Sequence, residues 1–401
     1  MPQLSNRASF WTAAAVVALA LWASGAPAMV YPVYATDWGL TPAVITMIFA
    51  VYPISLVVVL VVFGGISDFV GRRATLLAGV TAIAVGILLF ATAPDVGWLF
   101  AGRVFQGIGV GLAMSPASAA MVEFNPGGNA ARASSINTAA TALGLALSTI
   151  VGGALVQYAV LPIHLSYWVL LVVAACVFVA VWFMPRASAA TTAPGRWRPK
   201  GIVVPRGLGR VFAISSLAIA AGFAMGALLL SLGSEIAKNL IGTNNAFVAG
   251  TVISVSAIVI GTVAILGRRI PPRLSVGIGG IATAMGMGLI VLSSVRGSLV
   301  AFLVASCVSG IGYGLLFLGG LGLANRHAPA HHRAQMLSAV YLVAYLSQGL
   351  VAVALGLSAT AIGLAPAVDI WAPVIAGICI AASLVAIITG RMRAVPASSE
   401  G

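Results

Sequence analysis

Seven acidic side chains are the groups in this chain best suited to proton transfer, cation binding or ion pairing. They are Asp37, Asp68, Asp95, Glu123, Glu235, Asp369 and Glu400. A carboxylate inside a long apolar segment costs about 2.5 kcal/mol or more, so an acid in such a position is a functional candidate by default. None of the seven falls clearly in the middle of an apolar run, and they are spread along the chain. The sequence therefore predicts neither a pair of catalytic acids nor a metal site.

The segment 64–73 concentrates charge between two long apolar runs. It reads Gly-Gly-Ile-Ser-Asp-Phe-Val-Gly-Arg-Arg, so one carboxylate, Asp68, lies close to two guanidinium groups, Arg72 and Arg73. Asp68 could be a turn residue near a helix end, or a latch that pairs with an arginine or with the positive end of a helix. Glu123, at the end of a later apolar run, could be a solvated helix end or a partner for one of these arginines.

Arg103, inside a predicted helix, is the one basic residue that is a candidate for burial, and Gln106 follows it by one turn. A long Arg side chain near a helix end can extend to water. Alternatively, residues 99–107, Leu-Phe-Ala-Gly-Arg-Val-Phe-Gln-Gly, resemble a helix motif of the major facilitator superfamily, and this resemblance implies that Arg103 takes part in proton transfer by lowering the pKa of a nearby carboxyl group. Asp37, between the first two apolar runs, is the nearest plausible carboxylate. These three residues are the candidates for ion coupling.

The composition defines the elements that must position these groups. The chain is 61% hydrophobic and 7% charged, with a mean hydropathy of +1.12, which indicates a polytopic membrane protein. The apolar runs are about 20 residues long, as in helices, and not alternating runs of about ten as in a β-barrel. Twelve helices are predicted, at 9–31, 41–63, 74–94, 98–122, 134–157, 165–185, 209–232, 245–267, 274–294, 298–324, 334–358 and 371–390.

The basic residues give the orientation of these helices. The net charge is +13, and all Lys and Arg except Arg103, Lys238 and Arg296 fall on the side that also carries both chain ends. This bias predicts that both termini are cytoplasmic. A nucleic-acid surface would instead cluster basic residues with aromatic ones on one folded face, so no nucleic-acid partner is expected.

The helices divide into two sets of six. We predict an N-terminal bundle over 1–185, a cytoplasmic linker over 186–208, a C-terminal bundle over 209–393 and a short tail over 394–401. The two halves echo each other weakly, since Gly71-Arg72-Arg73 has a counterpart in Gly267-Arg268-Arg269, as in transporters built from repeats. Arg7, an apolar run and Ala26-Pro27-Ala28 are similar to a cleavable signal peptide, but two sets of six favour retention of the first helix.

Polar and aromatic residues at mid-helix depth are candidates for a ligand cavity. They are Trp22, Tyr31, Tyr52, Asn137, Thr141, Tyr313, Tyr341, Tyr345 and Gln348. The last three share one helix face. Packing between helices, or an aromatic belt at the membrane surface, is the alternative for each. A cavity lined in this way has no fixed charge and favours a neutral or amphipathic ligand over a phosphate or dicarboxylate.

Segment 64–73 closely resembles the signature loop of the major facilitator superfamily, Gly-x-x-x-Asp-x-x-Gly-Arg-Arg. Residues 99–107, Leu-Phe-Ala-Gly-Arg-Val-Phe-Gln-Gly, resemble the motif of its fourth helix. Phe69 replaces the basic residue that usually follows the aspartate. The resemblance implies an all-α membrane protein with two pseudo-symmetric six-helix bundles and alternating access. It also implies a cytoplasmic gate formed by Gly64, Asp68, Gly71, Arg72, Arg73, Glu123 and Arg132.

The expected function is secondary active transport, most simply proton-coupled efflux of small amphipathic organic compounds. Gly144, Gly152 and Gly153 fit part of the superfamily's antiporter motif in the fifth helix, where Ser148-Thr149 stands in place of Gly-Pro. An importer of a neutral metabolite is the alternative, and a membrane enzyme or a sensor that does not transport is a distant one. We expect no cofactor and no metal, because a proton gradient is expected to supply the energy for transport. The expected partners are the lipid bilayer, the substrate and protons, for a monomer in the cell (inner) membrane.

Overall fold

Twelve long helices make up the structure, a computed structural model that describes residues 3–125, 130–186, 204, 207–328 and 333–388. Each is long and apolar enough to cross a membrane. The helices are α1 (Asn6–Gly25, continued as Tyr31–Asp37), α2 (Pro42–Phe63), α3 (Arg72–Ala91), α4 (Val96–Glu123), α5 (Ala130–Tyr158), α6 (Pro162–Trp182), α7 (Gly209–Asn239), α8 (Ala246–Leu266), α9 (Pro272–Arg296), α10 (Leu299–His327), α11 (Arg333–Ile362) and α12 (Leu364–Ile388). The predicted number of membrane helices is confirmed. Most of the predicted linker and the tail over 394–401 lie outside the described residues.

The packing repeats between the two halves. In the first half α3 packs on α4 and α6, and α1 and α2 pack on α4. In the second half α9 packs on α10 and α12, and α7 and α8 pack on α10. Each pair of the first half is thus found again six helices later. The prediction of two pseudo-symmetric six-helix bundles is confirmed.

The halves meet along two extensive helix pairs, α2 with α11 and α5 with α8. A pseudo-twofold axis that exchanges α2 with α8 and α5 with α11 relates one pair to the other. Glycines bring the backbones close at both. A Cβ at Gly153 would lie 2.6 Å from the Ala246 carbonyl oxygen, and one at Gly356 would lie 2.7 Å from the Pro42 carbonyl oxygen. Small residues at such contacts are how membrane helices pack without a hydrophobic driving force.

Two ends of the structure are distinguished below. The Arg72 end carries the turn Ser67–Val70, the start of α3 and the end of α4, and the 3₁₀ turn Gly267–Arg269. The Lys238 end, at the other side, carries the ends of α1 and α7.

Helix α1 is interrupted where the sequence places Ala26-Pro27-Ala28. Residues Ala26–Met29 form a buried 3₁₀ turn before the helix resumes at Tyr31. Pro27 has no N–H group, and a 3₁₀ turn shifts the backbone bonds by one residue. The Ser24 carbonyl, which would bond to residue 28 in an α-helix or to residue 27 in a 3₁₀ turn, is thereby left open to other donors.

Helix α7 is longer than predicted. The predicted helix ends at residue 232, whereas the structure continues it to Asn239 and buries all residues from Ser231 to Ala237. The polar residues Ser234 and Glu235 had indicated a helix end there. The prediction that this helix ends at residue 232 is therefore wrong, and Glu235 lies inside α7, one turn before its end.

The α2–α11 contact supplies a stability test. In Gly356→Ala the added methyl group would meet the Thr46 hydroxyl and the Pro42 carbonyl, and overpacking of this kind costs about 1–3 kcal/mol. We expect a lower midpoint of thermal unfolding in detergent. Gly377→Ala is the matched control, because a Cβ there meets nothing within 4 Å and alanine favours the helix. Equal midpoints for the two variants would contradict the close contact.

Candidate functional site

Arg103 of α4 is buried inside the first half, with 1% of its surface exposed. Its Nη1 donates to the Ser24 carbonyl oxygen at 2.8 Å and to Gln106 Oε1 at 3.1 Å. Its Nη2 donates to the Tyr31 hydroxyl at 2.6 Å. The first of these acceptors is the carbonyl left open by the interruption of α1. Arg103 therefore does not extend to water but binds α1 to α4.

Three aromatic rings surround the same guanidinium group. Its central carbon lies 5.8 Å from the ring centroids of Tyr31 and Phe49 and 5.5 Å from that of Tyr52, within the range of cation–π attraction. Together with the neutral acceptors, the rings compensate a charge that would otherwise be expensive in the membrane interior. We call Arg103, Gln106, Tyr31, Phe49 and Tyr52 the arginine cluster.

No carboxylate takes part in the arginine cluster among the described residues. Asp37, proposed above as the acid nearest to Arg103, is exposed at the end of α1. The structure thus does not bring together all three coupling candidates, since it joins Arg103 to Gln106 and leaves Asp37 at the surface. Within the described part of the chain, Nε of Arg103 and Nε2 of Gln106 have no hydrogen-bond partner.

A second group of rings lies in the C-terminal half. Tyr313 and Phe317 of α10, Phe223 of α7, and Tyr341 and Tyr345 of α11 form a continuous set of contacts with centroids 5.0–6.3 Å apart. We call this set the aromatic cluster. The three tyrosines are half-buried, so part of each side chain remains exposed.

The other cavity candidates differ in their surroundings. Tyr31 is sealed and bonded to Arg103, whereas Trp22 is half-buried. Asn137 accepts a hydrogen bond from the Ser118 hydroxyl at 2.9 Å, and Thr141 donates to the Asn137 carbonyl at 3.0 Å. Gln348 is buried on α11, and a Cβ at Gly226 of α7 would lie 3.8 Å from its Nε2. Three of the nine predicted residues, Tyr31, Asn137 and Thr141, thus form hydrogen bonds within the N-terminal half.

The predicted gate residues lie together at the Arg72 end. Arg72 and Glu123 form an ion pair of 2.5 Å between the start of α3 and the end of α4, with side chains 32% and 42% exposed. Asp68 is exposed on the turn Ser67–Val70 and forms no ion pair with a described residue. Gly71 has a φ of +93° and a ψ of 147°, a conformation essentially restricted to glycine. Gly64 is the residue at which α2 ends.

Two further arginines of the predicted gate lie over aromatic rings. The Arg73 guanidinium carbon lies 5.5 Å from the centroid of Trp182 in α6, and that of Arg132 lies 5.6 Å from the centroid of Phe10 in α1. Each contact joins the start of one helix to a neighbouring helix of the same bundle. These arginines therefore organise the Arg72 end in addition to carrying charge.

Comparison with known proteins agrees with this architecture. The family model of the Major Facilitator Superfamily matches residues 10–352. The chain belongs to the Major Facilitator Superfamily. The fold is also that of a mutant of the nucleoside transporter NupG, solved by crystallography, with a TM-score of 0.75 and 12% identity over 95% of this chain and 99% of that chain. Family and fold thus both point to a membrane transporter rather than an enzyme.

A second known protein is similar over a much shorter part of the chain. The MFS efflux transporter aclA of Aspergillus oryzae is 33% identical over 108 residues, which are 27% of this chain and 20% of that protein. The match thus spans about a fifth of the relative's length.

Several residues of this superfamily member were missed by the sequence analysis. Phe223 and Phe317 were passed over because they carry no polar group, although their rings connect the tyrosines of the aromatic cluster. Arg268 Nη1 donates to the Ser135 hydroxyl of α5 at 2.8 Å and links the halves at the Arg72 end. Glu235 was assigned to a loop. The spacing of apolar residues typical of a helix continues past residue 232, and this signal could have placed Glu235 inside the helix.

The arginine cluster can be tested through its stability. Arg103→Lys keeps the charge, but one ammonium group cannot reach Ser24, Gln106 and Tyr31 as the guanidinium does. Each hydrogen bond lost from a charged group costs about 1.5–3 kcal/mol, so we expect a clear fall in the thermal unfolding midpoint in detergent. Arg296→Lys, at an exposed helix end, should leave it unchanged. An unchanged midpoint for Arg103→Lys would show that these bonds contribute little.

Proposed function

We propose that this transporter exports small amphipathic organic compounds in exchange for protons. The observation that carries the proposal is the half-buried aromatic cluster on α7, α10 and α11, which offers ring faces and hydroxyl groups without a fixed charge. Such a surface favours ligands with an extended apolar part and few polar groups. The segment similar to an efflux transporter supports the direction of transport.

The contacts between the halves support alternating access. At the Lys238 end, Ser234 donates to the Ala28 carbonyl at 2.7 Å, and the backbone N–H of Ala43 donates to the Thr360 hydroxyl at 2.9 Å. The backbone N–H of Ala246 donates to Gln157 Oε1 at 2.8 Å. These bonds close the Lys238 end, and they must break if the halves rock so that the cluster faces that side.

The distribution of basic residues gives the orientation. We place the Arg72 end and both termini in the cytoplasm and the Lys238 end outside, in the cell (inner) membrane. The structure then corresponds to the form closed to the outside. Asp68, Arg72, Arg73, Glu123 and Arg132 belong to the gate on the cytoplasmic side. We propose that one chain suffices and that a proton gradient, without a cofactor, drives the cycle.

A neutral metabolite is the second candidate substrate. The fold shared with a nucleoside transporter supports a ligand of this kind. The aromatic cluster could stack on a planar ring. An importer would move proton and substrate in the same direction, or would move the substrate without a proton.

Proton movement in proteoliposomes with a trapped pH dye tests this proposal. Lipophilic cations, nucleosides, sugars and amino acids are added one at a time to the purified transporter. Proton movement opposite to the substrate is expected with a lipophilic aromatic cation. Movement in the same direction would replace efflux by symport, and substrate flux without proton movement would overturn the proton coupling.

The gate is tested in the same vesicles with Asp68→Asn. Loss of the charge should weaken the closed cytoplasmic gate and lower the rate of transport about tenfold, which corresponds to about 1.4 kcal/mol, while the amount of folded protein stays the same. Asp369→Asn, an exposed acid at the opposite end, is the control and should transport normally. A normal rate in Asp68→Asn would exclude a gating role for this carboxylate.

A further inference from the structure

Glu235 differs from the other acids of the described chain in its burial. Only 7% of its surface is exposed, whereas Asp37, Asp68, Asp95, Glu123 and Asp369 are all exposed. It lies inside α7, one turn before the helix ends at the Lys238 end. A carboxylate that the protein encloses at this depth must either be compensated or carry a proton.

The surroundings compensate Glu235 only in part. Its Oε2 accepts a hydrogen bond from Asn239 Nδ2 at 2.6 Å, while Oε1 has no hydrogen-bond partner among the described residues. Lys238 is the nearby charge, but its Nζ donates to Thr36 Oγ1 at 3.2 Å across the interface and its side chain is exposed. Burial disfavours the ionised form, and one hydrogen bond and one exposed cation offset this effect only in part, so the neutral carboxyl is favoured in this closed form.

Other ionisable groups contribute little at this site. The elements packed against α7 are α1, α2 and α8 to α12. Their ionisable side chains towards the Lys238 end are Tyr34, Asp37, Arg296 and Asp369. The last three are exposed, and Tyr34 is buried against the ring of Trp38.

Glu235 also lies between two bonds that join the halves. Ser234, the residue before it, donates to the Ala28 carbonyl in the interrupted part of α1, and Lys238, one turn later, donates to Thr36 at its end. Opening of the Lys238 end would break both bonds and admit water to Glu235. Water stabilises the carboxylate, and closure stabilises the neutral carboxyl, so proton binding and closure are thermodynamically linked.

We propose that Glu235 is a proton-binding site that controls the Lys238 end, which closes when this carboxyl is protonated and opens when it is ionised. The proton comes from water at the open face and forms an O–H bond on the carboxylate, and no other bond changes. This inference rests on the proposed alternating access and gives the proton a defined place in it.

The test measures closure directly. Ala43, buried beside Thr360 at the interface, is replaced by cysteine in a chain whose three native cysteines are replaced by alanine. In a reference protein with the same background, Val160, which is exposed in a loop at the same end, is replaced by cysteine instead. At each pH, the rate of maleimide labelling at position 43 is divided by the rate at position 160. This ratio removes the pH dependence of the reaction between a thiol and maleimide. We expect this ratio to rise about tenfold, a usual size for such coupling, as the pH is raised.

The Glu235→Gln variant cannot ionise and imitates the protonated form. We expect a low ratio that is independent of pH, and in vesicles the loss of both substrate transport and proton movement, because the Lys238 end stays closed. Glu235→Asp, which can still ionise, should keep a pH-dependent ratio, and Asp369→Asn should behave as the parent protein. A pH-dependent ratio in Glu235→Gln, or rapid labelling at every pH, would overturn the inference.

The two proposals fail in different ways. A pH-dependent ratio that Glu235→Gln abolishes, in a protein that moves no protons with its substrate, would support the switch and overturn proton-coupled export. Proton movement that persists in Glu235→Gln would support coupled export and overturn the role of Glu235.

Discussion

The interruption of α1 is the constraint on which the other contacts depend. A continuous helix would use its own carbonyl groups internally, but Pro27 and the 3₁₀ turn around it leave backbone oxygens available in the middle of the protein. Arg103 uses the Ser24 carbonyl, and Ser234 uses the Ala28 carbonyl. One short segment is therefore bonded to the N-terminal half on one side and to the C-terminal half on the other. A displacement of this segment changes both contacts together.

The two halves have different chemistry despite their shared fold. The first half holds a buried positive charge enclosed by neutral acceptors and ring faces, whereas the second offers a partly open set of aromatic rings. The buried acid, Glu235, also lies in the second half, near the end of α7. This division places the aromatic cluster and Arg103 in different halves.

The sequence was sufficient for the membrane helices, their division into two bundles and the family, because long apolar runs and the loop at 64–73 are local signals. It was not sufficient for Glu235. Ser234 and Glu235 are polar and follow the predicted helix end at residue 232, whereas the structure continues the helix to Asn239 and bonds this part to α1. Asp37 was proposed beside Arg103 because it was the nearest acid along the chain. The actual partners are a carbonyl group, a tyrosine and a glutamine, and a freed carbonyl cannot be recognised without the backbone path.

The two helix pairs that join the halves consist largely of backbone against backbone. Gly153 lies against the Ala246 carbonyl, Gly250 against that of Thr149, and Gly356 against that of Pro42. Surfaces without long side chains have few rotamers to rearrange when they move past each other. The loss or gain of side-chain entropy between two positions of the halves is then small, and neither position is trapped by interlocked side chains. Smooth surfaces of this kind allow a few polar bonds at the ends, each of modest energy, to decide which position is populated.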